Sequence, residues 1–422
     1  SGGNYNVAVG DEAGTAITTG DQNVAIGFEA LATEDTRSGS TALGYRALKT
    51  QNGDTANTHN VAIGADAGLL LLTGNRNVYV GALSGDANST GDGNTAVGHN
   101  TLGTNTHSEN NVAVGFEALK TFNVGSGSGF NTAVGGLAGT ALTTGVQNTL
   151  IGGRAGDALV TNGGDNVALG FEALSGETQS SRNTAIGRGA LKTQNVGTNS
   201  NSYNTAVGAL AGTAVTTGTL NTIYGPLSGV ALTEGTNNVL IGYSAGSSSS
   251  LDLTTGSNNI VIGGNRPSLP AGEVHSILIG TVANIAGKGN NTGFISPNGG
   301  GVFQGNNSAN WSQTSDRRLK KNIVNSTIGL AEINQLQVRN FEYRTVDEVT
   351  ELEDHTVIDR SGVQVGVIAQ EIQAILPKCV KEESTGVLSV DPDNLTWHMV
   401  KAVQELSTAL DAALARIATL EG

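Results

Sequence analysis

Cysteine is almost missing from this chain: Cys379 is the only one in 422 residues. That excludes an intrachain disulfide and leaves the residue as a small core side chain. Six histidines are scattered without H-E-x-x-H or similar ligand spacing, so no metal and no cofactor is expected. Basic residues number 22 against 36 acidic ones, for a net charge of −14, and no basic stripe is visible. Nucleic acid is therefore set aside as a partner. Long apolar runs are lacking as well. The run Leu69–Leu72 falls far short of the roughly 20 residues a membrane helix needs, so no membrane insertion is expected. No secretory signal pattern stands at Ser1, and the chain can start inside a longer protein.

Glycine is what the chain has in excess, and it is unevenly placed. Of 61 glycines, 56 precede Ser315, whereas the 108 residues from Ser315 onward hold 28 of the 58 charged side chains. The chain is long enough for two or more domains, and this break in composition divides it.

The first part is a repeat. Its unit is Asn-[Val/Thr]-Ala-[Val/Ile/Leu]-Gly-x-x-Ala-[Leu/Gly], with clear copies from Asn6, Asn23, Asn60, Asn94 and Asn111 onward and looser ones at Ser40, Asn77 and Ser276. Its glycine recurs sixteen times from Gly10 to Gly280, mostly at intervals of 17 residues and occasionally 18, 20 or 21. The extra residues, as in Thr50 to Thr58 and Asn195 to Ser202, predict loops bulging from a regular coil. A 17-residue period is too short for a helix pair and predicts one solenoid coil of two short strands and two turns. In a strand such as Val7-Ala8-Val9, bulky aliphatics and alanine point to opposite faces. The aliphatic column (Val9, Ile26, Leu43, Ile63) is expected to fill the interior, and the alanine column to meet partner subunits about a trimer axis. The fixed asparagine predicts a side-chain ladder, and the fixed glycine a backbone conformation closed to other residues. Sixteen coils at about 4.8 Å each make a rod of roughly 75 Å. This unit resembles the head repeats of trimeric autotransporter adhesins, which implies parallel β-rolls assembled as trimers.

The repeat fades after residue 284. Residues 285–314 are expected to form a neck or linker, with Phe294, Phe303 and Trp311 stacking about a three-fold axis or forming a ligand patch. Beyond it the pattern predicts a helix over Thr327 to Gln337, a strand around Val338 to Tyr343, an acidic loop from Asp347 to Asp354, a strand over Val363 to Ile368 and a helix over Gln370 to Leu376 ended by Pro377. The C-terminus reads as a long helix. Val403, Leu406, Leu410, Ala413, Ile417 and Leu420 recur at spacings of 3 and 4, the seam of a coiled coil. The expected fold is thus mainly β: a trimeric parallel β-roll or solenoid shaft over 1–284, then a small α+β domain over 315–422 with a C-terminal coiled-coil helix.

The segment Ser315-Asp316-Arg317-Arg318-Leu319-Lys320-Lys321 opens that last domain. Gly366-Val367-Ile368-Ala369-Gln370-Glu371-Ile372 and Ala402-Val403-Gln404-Glu405-Leu406 follow in order. Together they resemble the intramolecular chaperone domain of the endosialidase type, peptidase family S74. Val367 stands where the family usually has an aromatic. The resemblance implies a domain that assembles the trimer of a bacteriophage tail fibre or tailspike and then cuts itself off. It also implies a catalytic pair, Ser315 and Lys320, and a cut at the junction Thr314, Ser315, Asp316, on either side of the serine.

The chemistry fits those residue types. A serine hydroxyl is a weak nucleophile until a base takes its proton, and a lysine is a base only when neutral. Burial and nearby cations favour the neutral form, and Arg317, Arg318 and Lys321 are the candidate source of positive field. Asp316 is expected to orient the backbone or pair with an arginine. The leading functional reading is a homotrimeric virion tail fibre that binds a host-surface glycan or protein. A bacterial cell-surface adhesin and a polysaccharide-degrading tailspike are the alternatives; sparse carboxylates and the lack of a distinctive acidic pair argue against the last.

Overall fold

The computed structural model describes residues 2–53, 57–161, 163–197, 200–248, 250–281, 283–297, 302–305, 312–313, 315–352, 358, 360–383 and 386–421. The chain divides into two compact units, Ser1–Thr314 and Ser315–Gly422.

The first unit is a parallel β-solenoid. Seventeen short strands, from Val7–Val9 to Gly293–Ser296, form one ladder in which each pairs in parallel with the next. Register is kept like on like: Val7 faces Val24, Ala8 faces Ala25, Val9 faces Ile26. The ladder runs one strand past the last recognisable repeat, then turns antiparallel through Val302–Gln304 and Ser312–Gln313. Phe294 does not stack on an outside axis. It is 7% exposed and closes the end of the shaft's own core, with Lys288 over its ring. The side chain of Phe303, together with Trp311 and Thr314, lies outside the described residues.

Two expectations are corrected. Each coil contributes one strand to the ladder, not two. The rest of the coil is turn, because it passes through left-handed backbone repeatedly: in the second coil at Gln22, Glu29 and Leu31, with φ of 58°, 53° and 50°. No extended strand accommodates such residues. The faces are also reversed. The strand alanines, Ala25, Ala42, Ala62 and Ala96 among them, are fully buried, whereas Val9, Leu43 and Ile63 are exposed. The turn supplies the bulk of the core, through buried Leu31, Leu48, Leu102 and Leu119. Within so tight a coil, a turn leucine leaves room for only a methyl group from the strand.

The asparagine ladder is present. The Asn23 backbone N–H donates to Asn6 Oδ1 at 2.8 Å, and Asn23 Nδ2 donates to the Arg37 carbonyl at 2.8 Å. The same pair of bonds recurs at Asn77 and Asn94. Where Ser40 replaces asparagine, Gln51 reaches in and donates to Ser40 Oγ at 2.9 Å. The glycine expectation also holds. At Gly135 φ is +136°, and a β-carbon would sit 2.6 Å from the Gly152 carbonyl. The loops after Thr50 and Asn195 return to the stack through the bridges Ser38↔Asn57 and Ser181↔Asn201.

Coils come in two kinds. In one, a leucine stands four residues after the repeat glycine, followed in the coils without an inserted loop by a polar residue and then by Ser or Arg: Leu31/Glu34/Arg37, Leu102/Asn105/Ser108, Leu174/Glu177/Ser180. In the other, glycine takes the first place, and in most of these coils an aliphatic the second and glycine the third: Gly68/Leu71/Gly74, Gly139/Leu142/Gly145, with Asn88 in the second place in the coil of Gly81. The third glycine is required by volume, since a β-carbon at Gly145 would lie 2.7 Å from Leu142 Cδ1. The kinds alternate in blocks of four coils, two of leucine type and two of glycine type. The blocks start at the coils of Gly27, Gly98 and Gly170, and the second coil of each carries the inserted loop.

The second unit is small. Ile372, Leu376 and Cys379 form its buried centre, with Ile333, Leu336, Val367 and Leu395 partly buried around them. Helix α1 is a single turn, Leu330–Ile333, shorter than Thr327 to Gln337, because the chain leaves it for the strand Arg339–Phe341. That strand pairs antiparallel with Gln364–Gly366. Helix α2 spans Ala369–Ile375 and stops before Pro377, whose ring cannot continue it. An unanticipated hairpin joins Val380–Glu382 to Leu388–Val390. In the acidic loop, Glu351 pairs with Arg344, while Asp354 lies outside the described residues. Helix α3, Pro392–Glu421, starts where Asp391 Oδ1 accepts the N–H groups of Asp393 and Asn394.

Candidate functional site

One short turn builds the site. Asp316 precedes a 3₁₀ turn over Arg317–Leu319, and its carboxylate accepts the Arg318 backbone N–H at 2.8 Å. The Leu319 N–H donates to the Asp316 carbonyl at 3.1 Å, and the Lys320 N–H to the Arg317 carbonyl at 3.1 Å. This turn reverses the chain so that Lys320, five residues on, comes back to Ser315. Lys320 Nζ donates to Ser315 Oγ at 2.7 Å. Both residues are exposed within the single chain.

The neighbouring charges divide. Arg318 holds Asp316 by Nη2 to Oδ2 at 2.6 Å and by Nε to both oxygens at 3.1 Å. These bonds keep the Asp316 carboxyl below its ordinary range and raise the arginine. Asp316 therefore both caps the turn and pairs with an arginine, and it is poorly suited to act as a base. Arg318, expected to supply positive field, is largely neutralised by that pair. Arg317 and Lys321 have no ion-pair partner among the described residues and remain as the free cations. Thr314 lies outside the described residues, so the bond on its side of the junction has no geometry here.

Two residues of the sequence motifs acquire roles that their spacing did not reveal. Glu371, on α2, forms a bidentate pair with Arg339 of the adjoining strand at 2.9 and 3.1 Å. Glu405, on α3, accepts the Leu330 N–H at 2.8 Å, capping α1 and joining it to α3 across 75 residues of sequence. That bond and Lys401 hold the Glu405 carboxyl below its ordinary range. Their position inside the quoted motifs was the available signal. On α3, Val403, Leu406, Leu410, Ile417 and Leu420 are all about half exposed or more, as is Leu414. The seam is an apolar stripe with no cover from its own unit.

The family model for peptidase S74, chaperone of endosialidase, matches residues 315–381. The match begins at Ser315 and takes in the turn with Lys320, both strands of the first sheet, α2 and the start of the hairpin. It does not extend into the solenoid or α3. Peptidase S74 domains are autoproteolytic chaperones. No solved structure matches the chain.

Proposed function

We propose that this chain is one subunit of a homotrimeric virion tail fibre that binds a host-surface glycan or protein. The C-terminal unit assembles the trimer and then severs itself at Ser315. The observation that carries this reading is the 2.7 Å contact between Lys320 Nζ and Ser315 Oγ, at the first residues of the chaperone match and at the border of the two units.

In the proposed reaction neutral Lys320 takes the Ser315 hydroxyl proton. Oγ attacks the Thr314 carbonyl, the peptide C–N bond breaks, and the Ser315 amine leaves with the proton from the lysine. The resulting ester is hydrolysed by water, which leaves a carboxylate on the shaft and restores the serine hydroxyl. The reacting groups belong to one chain, so their orientation is already paid for. Within the single chain Lys320 is exposed to water. Trimer closure over the turn, with Arg317 and Lys321 nearby, supplies the desolvation and positive field that release its proton. Cutting thereby waits for assembly.

The trimer itself is supported by uncovered apolar surface. The outward strand columns, which include Val9, Leu43 and Ile63, run along the shaft, and α3 bears its stripe at the other end of the sequence. The α3 stripe has the spacing of a coiled coil.

Intact-mass and native mass spectrometry test the proposal together. The wild-type chain yields fragments of about 314 and 108 residues in trimers. Ser315→Ala and Lys320→Ala give uncut trimers. Lys320→Arg is also uncut, since a guanidinium keeps its proton, and the wild-type rate climbs with pH. Efficient cutting of purified Ser315→Ala at this junction, or a monomeric wild type, refutes it.

A further inference from the structure

In an extended chain Ser315 and Lys320 would stand about 17 Å apart. The turn between them lets Lys320 Nζ reach Ser315 Oγ at 2.7 Å, and little holds that turn in place. None of the residues Arg317–Leu319 is buried, and Leu319 is 75% exposed, so packing does not support it. Among the described residues, every hydrogen bond of the segment 315–320 stays inside the segment. Two of them are the backbone bonds of the 3₁₀ turn, from Leu319 to Asp316 and from Lys320 to Arg317. A single turn fixes several residues for one or two such bonds and is unfavourable by itself.

Asp316 supplies the rest. Its Oδ1 accepts the Arg318 N–H at 2.8 Å, which caps the turn. The same carboxylate accepts the Arg318 guanidinium at Nε and Nη2, over 2.6 to 3.1 Å. Backbone and side chain of Arg318 thus grip one carboxylate from two directions. Asp316 is half-buried, whereas Ser315 and residues 317–321 are exposed. The grip also lowers the Asp316 carboxyl from its ordinary value, so the cap keeps its charge into mildly acid solution.

We propose that Asp316 is the positioning residue of the self-cut and that Arg318 acts only through it, as a clamp on the carboxylate. The role rests on the Ser315 and Lys320 reaction proposed above, and it divides the labour. The segment 315–320 sets the geometry of the pair within one chain, and trimer closure supplies the surroundings. The other role open to Arg318, a positive field acting on Lys320, has the opposite sign. Removing Asp316 would then free the Arg318 charge and speed the cut. With Arg318 as a clamp, the same change lets the turn open and slows the cut.

The test makes the full chain by cell-free synthesis and follows loss of the uncut chain by intact-mass spectrometry, with native mass spectrometry for the trimer. Asp316→Ala slows cutting about tenfold at unchanged trimer yield, as the loss of a cap should. Asp316→Asn, whose amide oxygen still accepts the Arg318 N–H, stays within about threefold of the wild type. Arg318→Ala slows cutting about two- to threefold, as for an exposed pair. Combining it with Asp316→Ala gives a chain no slower than Asp316→Ala alone, because the clamp has nothing left to hold. Faster cutting by Asp316→Ala, or a double variant slower than Asp316→Ala, overturns the clamp. Asp316→Asn as slow as Asp316→Ala overturns the cap, and loss of the trimer in Asp316→Ala assigns the residue to assembly instead. A wild type that assembles and never cuts refutes the Ser315 and Lys320 reading and the positioning role with it. A wild type that cuts no faster than Asp316→Ala refutes the positioning role alone.

Discussion

The two units solve the problem of a small core in opposite ways. Each shaft coil is closed by the coils before and after it: strand on strand, asparagine on asparagine, glycine on glycine, with fully buried alanine and leucine between. Stability of that kind is a sum over nearest neighbours, and it needs no distant part of the chain. The C-terminal unit is centred on buried Ile372, Leu376 and Cys379 and has long-range ties such as Glu405 to Leu330, while Leu319, Val324, Val365 and Trp397 stand exposed. A stack completes itself along its axis, whereas a domain built this way leaves apolar side chains uncovered within its own unit.

The largest expected effect comes from crowding the stack. Gly135→Val places side-chain atoms against the next coil's carbonyl at a φ closed to valine, and should cost more than about 4 kcal/mol in thermal unfolding of the shaft. Gly386→Ala in the C-terminal unit is the counterpart. Its φ is also positive, at +79°, but its space is open, and the change should cost only about 1 kcal/mol. Equal losses would erase the distinction between the units.

A middle-sized effect tests whether coil type is a matter of volume. Leu102→Gly empties a buried site and should cost about 2–5 kcal/mol. Adding Asn105→Leu and Ser108→Gly rewrites the coil as the other kind and should return most of that loss in chemical denaturation. Failure of the triple variant to recover would mean that something other than volume selects the kind.

The smallest effect has opposite signs in the two units. Burial raises the carboxyls of Glu34, Asp86 and Asp157 above their ordinary values of 4.5 and 3.8. The folded shaft then binds protons more tightly than the unfolded chain, so its stability rises as pH falls from the folded values toward the ordinary ones. In the C-terminal unit, hydrogen bonds lower Asp316, Glu348, Glu351 and Glu405. Their contribution is complete above the ordinary values and is lost as pH falls through the folded ones. Melting curves of the separated fragments at stepwise lower pH should diverge accordingly, and Glu34→Gln should flatten part of the shaft's gain.

How far the molecule was legible follows the same division. Asparagine and glycine announced their ladders because each is used for one backbone purpose in every coil. The direction of the faces was not legible, since alanine beside valine ordinarily marks the less buried side, and only the turn leucines, held in left-handed backbone, reverse that. The exchange between coil kinds was written in the letters, but it becomes a rule only when Leu142 is seen to fill the space above Gly145. The Ser315 and Lys320 pair was legible through the family resemblance and not from its spacing. The motif drew attention to Glu405 but not to its capping role, because its partner Leu330 is far away in sequence.

The direction of the inter-coil hydrogen bonds has a mechanical consequence. In a stack of parallel strands they run along the shaft, so a tensile load at its ends opens them in sequence instead of shearing them together. A coil that lets go exchanges about 4.8 Å of stack for up to roughly 60 Å of slack chain. A shaft under force therefore lengthens in discrete steps and dissipates work at each one, behaving as a tether that absorbs a pull before it breaks.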